Sequence, residues 1–428
     1  MNTTIISIKG RRIWDSRGRP TVEVDVRLSG GAWGRGVAPA GASRGSNEAI
    51  DLRDGGLVHA GFGVEGALHA VNDLIGPALV GMDARDQVGV DRLLIALDGT
   101  PNKARLGGNA TIATSIAVLQ AAAASEGVPL WRYLTEDVQV SLPLPEIQIF
   151  GGGAHASQRI DLQDFLVMPV GAASFDEALC MVSDVYRAAG ELMASLGRRS
   201  GVADEGGWWP DFGSNEEPIE LLTRAIERSG YRHDQVAISL DIAASELGRN
   251  GRYKLEAEGR EFDTGEWIDM ICKWVRRYPI LSVEDPVAED DPEGMRIFTE
   301  AVGDTVQVVG DDFLVTNADR VCAAASSGQC NAVLLKPNQA GTITETQQAL
   351  SAARRAGWGM IVSARSGETE DTTIAHLAIG WNAGQLKVGS FARSERMAKW
   401  NECLRIAEQM GDIATFAGRA ALPLRSAT

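Results

Sequence analysis

The chain has 428 residues, 44% hydrophobic and 23% charged, a balance that excludes disordered and fibrous classes and leaves room for two or three domains. With 41 Lys and Arg against 57 Asp and Glu, the formal charge of -16 argues against nucleic acid and anionic lipid as partners, so an anionic substrate needs a locally positive site. No apolar run approaches the roughly 20 residues that span a bilayer, MNTTIISIKGRR lacks an apolar signal segment, and five cysteines without CxxC spacing fit reduced thiols in a cytoplasmic protein.

In chain order, TVEVDVRL (Thr21 to Leu28) alternates strictly, Gly30 and Gly31 supply a turn, and AWGRGVA follows, which together predict a hairpin. APAGASRGSNEA has the composition of a loop. Helical patterns occupy residues 65 to 80, and NATIATSIAVLQAAAASEG predicts a small-residue helix from Asn109. Residues 1–137 therefore read as a small α+β domain, and residues 138–428 as a second domain with a different texture.

In that second part, short apolar runs alternate with amphipathic helices such as EEPIELLTRAIERSG. Six runs end in a polar or charged group: VAISLD at Asp241, ILSVED at Glu284, VQVVGDD at Asp311, AVLLK at Lys336, MIVSARS at Arg365 and Ser366, and QLK at Lys387. From Glu284 on, these ends recur every 22 to 29 residues, one strand plus one return helix, while the first gap is 43. Charged groups at successive strand ends predict a (β/α) barrel, whose site lies above those ends. An open doubly wound sheet is the alternative, disfavoured because no GxGxxG follows an early strand.

Asp241, Glu284 and Asp311 on successive barrel strands would converge and repel, which a hard divalent cation with oxygen ligands resolves, Mg²⁺ above all. Each could equally be a helix cap or loop acid. Lys336, Arg365 and Lys387 form a basic wall opposite: a lysine among cations loses its proton more easily and suits a base, and Arg365 with Ser366 suits a phosphate. Each could also be an ion pair to the acidic wall. Asp204 and Glu205 precede two glycines in VADEGGWWP, and GGGAHASQ places His155 before Gln163 and Asp164 in DLQDF. Turn acids and a satisfied loop histidine are the plainer readings.

The motifs DSRGRPTVEVDV, DEGG, SVEDP, VGDD, LLKPNQAGT, SARSGETEDT and RSERMAKWN resemble the enolase family, the dehydratases of 2-phosphoglycerate, over almost the whole length. The resemblance implies an N-terminal α+β domain capping a ββαα(βα)6 barrel, and a homodimer or higher homo-oligomer. It implies one or two Mg²⁺ ions, with Asp241, Glu284 and Asp311 as ligands of the first and Ser43 on a mobile loop helping to hold a second. It makes Lys336 the base, Glu205 the acid, Arg365 with Ser366 the phosphate clamp and Lys387 a carboxylate contact, with His155, Gln163 and Asp164 beside them. The expected substrate is a small phosphorylated or phosphonate carboxylate.

The sequence departs from that family near the site. Ala364 stands where SHRSGETED has histidine, AGASRG replaces SGASTG so that Arg44 stands for threonine, and Asp164 stands for glutamate. These changes predict a diverged enzyme, similar in type to the carboxyphosphonoenolpyruvate synthases of phosphonate biosynthesis. There a nucleotide-activated phosphonoformate is transferred to an enolpyruvate unit, and Arg44 and the space at Ala364 would serve the extra group.

Overall fold

The alternating segment forms β2 (Pro20–Leu28), which pairs antiparallel with β1 (Ile5–Trp14) on one side and β3 (Trp33–Val37) on the other. The structure is a computed structural model describing residues 2–135 and 139–424. Val22, Val24 and Val26 are fully buried beneath a helix, α1 (Gly108–Glu126), which covers the sheet. The small residues of α1 have a steric cause in β3. A Cβ on Gly34 would lie 2.2 Å from Ala121 N, and one on Gly36 2.2 Å from Ala113 O, so strand and helix meet backbone to backbone. Residues 65 to 80 are not one regular helix: an α-helical turn (Glu65–His69) passes through a π-helical turn (Ala70–Ile75) before Gly76–Leu79. The domain boundary read at 137 falls outside the described residues.

Eight strands close a barrel in chain order: β4 (Leu144–Gly151), β5 (Asp164–Met168), β6 (Ala237–Asp241), β7 (Ile280–Glu284), β8 (Gln307–Gly310), β9 (Ala332–Leu335), β10 (Gly359–Ser363) and β11 (Gly384–Ser390). All pair parallel except β5, which runs against both neighbours. Helices α2 (Phe175–Ser195) and α3 (Glu217–Arg228) follow β5, and each later strand is followed by its own return helix, giving ββαα(βα)6. The long first gap is filled by a three-stranded antiparallel sheet spanning 248–263 ahead of helix α4 (Thr264–Arg277).

The lumen is plugged by Val309, Ala332, Leu334 and Ile361, and the far end by Leu144, Met168, Val170, Ala237 and Leu422. Functional groups are thereby confined to the opposite end. One strand end differs from expectation. β11 does not stop at Lys387 but continues to Ser390 through a register shift before Gly389, whose φ of +111° suits glycine. Among the described residues, no helix is long and apolar enough to cross a membrane.

Replacing Gly36 by Ala forces a methyl into the α1 backbone and is expected to lower stability by about 1–3 kcal/mol. Gly213→Ala, whose methyl meets only Glu217 Oε2 at 3.7 Å, is expected to stay within about 0.5 kcal/mol of the parent. Chemical denaturation of the two variants checks the pair.

Candidate active site

The reversed strand explains how residues from separate turns of the chain reach one rim. Because β5 runs against its neighbours, its first residue Asp164 lies in register with Asp241, the last residue of β6, and Asp241 lies in register with Glu284 at the end of β7. Asp311 follows β8 directly. All four carboxylates are buried.

Acidic and basic residues do not form two facing walls; they interleave. Lys387 Nζ donates to Asp241 Oδ2 at 2.8 Å and to Glu284 Oε2 at 2.6 Å, while Lys336 Nζ donates to Asp311 Oδ2 at 2.5 Å. Nor do the cations around Lys336 depress its pKa. Burial pulls it down, but Asp311 and Glu284 outweigh burial and the net direction is upward, so Lys336 is held as an ammonium. The two acids sharing Lys387 part company: burial and the Asp241 charge push Glu284 well above the usual carboxylate range, whereas Lys387 overcomes burial at Asp241 and holds it low.

Neighbouring groups fix these acids. Asp285, on a backbone of φ +40°, accepts from Asp311 N at 2.9 Å and Asp312 N at 2.7 Å. Gln339 Nε2 donates to Asp311 Oδ1 at 2.8 Å, and Gln163 Nε2 to Asp241 Oδ2 at 3.2 Å. Oxygens of Asp285, Asp311 and Asp312 come within 4.8 Å of one another, as do ligand atoms of His155, Asp164 and Glu205. The donor set Asp241, Glu284 and Asp311 fits Mg²⁺ on one internal sign: Glu284 Oε1 is buried without a hydrogen-bond partner among the described residues. An all-oxygen anionic set with a free oxygen suits a hard dication, and Ser43 lines the adjoining cavity.

On the other side, His155 Nδ1 donates to Asp164 Oδ1 at 2.8 Å, and Nε2 lies 3.0 Å from Ser366 Oγ and 3.5 Å from Glu205 Oε1. Burial alone would lower the His155 pKa, but Asp164 and Glu205 lift it to about 9. Glu205 is correspondingly held as a carboxylate: burial would raise it, and His155, Arg396 and Lys387 outweigh burial. An imidazolium between two carboxylates needs no metal.

The loop after β3 closes the top. Ala40 and Gly367 exchange backbone hydrogen bonds at 2.9 and 2.8 Å, and a Cβ on Gly41 would lie 1.9 Å from Arg365 Nη2. Arg365 is already engaged there: Nη1 donates to Glu48 Oε2 at 2.8 Å and Asn338 Oδ1 at 3.2 Å, and Nη2 to Ser43 O at 2.9 Å and Glu48 Oε1 at 3.3 Å. The cavity left inside is about 20 Å³, water-sized.

Ser43, His155, Gln163, Asp164, Glu205, Asp241, Lys336, Ala364, Arg365, Ser366 and Lys387 line that cavity. Glu284 and Asp311 stand behind the lysines. Arg44 does not line it: its side chain is 43% exposed and its guanidinium lies 4.0 Å from Asp51, because the loop turns it outward. Sequence reasoning missed Glu48, Gln339, Asn338 and Gln148, which donates to Asp164 Oδ1. Gln339 and Asn338 were in view within LLKPNQAGT; Glu48 carried no signal beyond being an acid in a loop.

A capped barrel with carboxylates and lysines at its strand ends defines an enolase-type architecture. Residues 5–134 match the family model described as Enolase, N-terminal domain, and residues 139–424 match Enolase, C-terminal TIM barrel domain. The chain belongs to the enolase family.

Because the folded pKa of His155, about 9, lies above its unfolded value near 6.5, its contribution to stability is complete below pH 6.5 and is lost as pH rises through 9. Thermal melts in chelator from pH 6 to 10 are expected to fall more steeply for the parent than for His155→Gln. Parallel curves would refute the imidazolium assignment.

Proposed function

We propose that this chain is a Mg²⁺-dependent enzyme that takes the α-proton of a small carboxylate bearing a phosphate or phosphonate. The observation that carries the reading is the presence in one cavity of two lysines, one paired to Asp311 and one shared by Asp241 and Glu284, with the Glu205–His155 pair and Arg365. A divalent ion bound by Asp241, Glu284 and Asp311 would supply positive charge to the carboxylate that becomes an enediolate.

The chain's own residues do the rest. Lys336 receives the α-proton at Nζ in its neutral form, which becomes accessible once the Asp311 charge that holds it as an ammonium is taken up by the divalent ion. Lys387 holds the substrate carboxylate. Glu205 exchanges a proton with the β-substituent through its contact with His155, and Arg365 and Ser366 hold the anionic tail once Glu48 yields part of the guanidinium. Water is kept out by the Ala40–Gly367 closure.

We further propose that the reaction is of the carboxyphosphonoenolpyruvate synthase type: the enol oxygen of phosphoenolpyruvate bonds to the phosphorus of phosphonoformate as the bond to the nucleoside monophosphate breaks. The bond from that oxygen to its own phosphoryl group breaks as well, and the phosphoryl group passes to the departing nucleoside monophosphate, which leaves as the diphosphate. What supports this is Ala364, which lines the cavity beside Arg365 and whose small side chain would obstruct an additional carboxyphosphono group less than a larger residue once the loop opens. A nucleotide cannot enter 20 Å³, so the loop has to open first, and opening it frees Arg44 to face the incoming anion. Ordinary dehydration of 2-phosphoglycerate is the second reading, favoured by the complete set of lysines and carboxylates.

Exchange of the α-proton of 2-phosphoglycerate in deuterated buffer is expected to require Mg²⁺ and to fall about 100-fold or more in Lys336→Met. No exchange in the folded parent would favour a noncatalytic binding role. Phosphorus NMR with cytidylyl-phosphonoformate and phosphoenolpyruvate separates the two reactions. A new carboxyphosphono ester is expected, and Arg44→Thr should weaken use of the nucleotide more than it weakens Mg²⁺ binding. Phosphoenolpyruvate formed from 2-phosphoglycerate at a glycolytic rate, with no ester, would leave dehydration as the function.

A further inference from the structure

Glu146 has no place in the chemistry described so far. It lies on β4, is 1% exposed, and meets Ser239 of β6 past the intervening strand β5. Its Oε2 accepts from Ser239 Oγ at 2.9 Å, and its Oε1 is buried with no partner among the described residues. A buried carboxyl with one unsatisfied oxygen costs stability that an apolar residue would not.

The pairing of β4 with β11 sets Glu146 in register with Lys387, and register neighbours on adjacent strands share a face. Burial raises the Glu146 pKa above the usual carboxylate range, and the Lys387 charge opposes that rise in part. Lys387 rests on Asp241 and Glu284, two of the three acids assigned to the metal. An ammonium and a dication cannot hold the same oxygens without repulsion. With its side chain only 7% exposed, Lys387 cannot retreat into water and needs another acceptor inside the barrel. Asp164 Oδ2 is also buried without a partner among the described residues, but its Oδ1 is held by His155 and Gln148, which ties that carboxylate to the histidine. Glu146 offers a free oxygen and the register.

We propose that Glu146 is a positioning residue that receives the Lys387 ammonium when Asp241 and Glu284 engage a divalent cation, keeping that lysine charged and directed at the substrate carboxylate. This rests on the Mg²⁺ reading above. It accounts for both the buried acid and its unsatisfied oxygen through one movement of one side chain.

Mg²⁺ titration of the full chain by calorimetry tests it. Glu146→Gln is expected to weaken Mg²⁺ binding about 10-fold, Glu146→Asp to restore part of the loss, and the melting temperature in chelator to stay level or rise in Glu146→Gln. A merely structural acid would shift the melting temperature and leave the Mg²⁺ affinity alone, so affinity within twofold of the parent in Glu146→Gln overturns the proposal. A crystal structure of the parent with Mg²⁺ needs no variant. Lys387 Nζ within hydrogen-bond distance of Glu146 Oε1 supports the assignment, and Nζ still on Asp241 and Glu284, or moved to Asp164, refutes it. Absence of Mg²⁺ binding by the parent would remove this proposal together with the reading beneath it, whereas equal binding by parent and variant removes this one alone.

Discussion

Three carboxylates at one end of a barrel are tolerable only because two lysine ammoniums sit among them. Two like charges about 4 Å apart cost about 4 kcal/mol even at an effective dielectric of about 20, and desolvation adds to that at each buried acid. Lys336 on Asp311 and Lys387 between Asp241 and Glu284 hold the rim together, and Glu284, pushed upward, is where neutralisation remains incomplete. The lysines and carboxylates proposed for chemistry are here the same groups that stabilise the rim. Any cation that engaged these acids would also have to rearrange the lysines paired to them.

The rest of the fold serves that rim. Chain reversal at β5 brings Asp164 beside Asp241, Asp285 anchors the backbone of Asp311 and Asp312, and Gln339 spans from Asp311 toward the loop acid Glu48 at 3.3 Å. The apolar plug of Val309, Ala332, Leu334 and Ile361 closes the lumen beneath, which keeps the polar groups in one shell and the field between them strong.

Much of this was legible in the sequence because periodic apolar runs and their polar termini are local signals. Glu284, Asp311 and Lys336 could be assigned to strand ends from the 22 to 29 residue spacing, and Asp241 from the polar end of its apolar run. What escaped depends on relations between strands. No spacing reveals that Lys387 lies inside a strand and crosses to two acids, because that follows from the register shift before Gly389. Two opposed walls were read where ion pairs interleave, since sequence gives the sign of a charge and not its partner. Arg44 was read into the site from its loop position, but the loop turns it toward Asp51, and Glu48, four residues on, takes the inward place.

The Glu48–Arg365 pair crosses between the two domains with both side chains nearly buried. Neither half of the molecule is therefore electrically complete by itself: the barrel alone would present a guanidinium in a pocket without its counterion, and the cap alone a carboxylate with nothing to neutralise it. Pulling the two domains apart would strand one buried charge on each side of the seam.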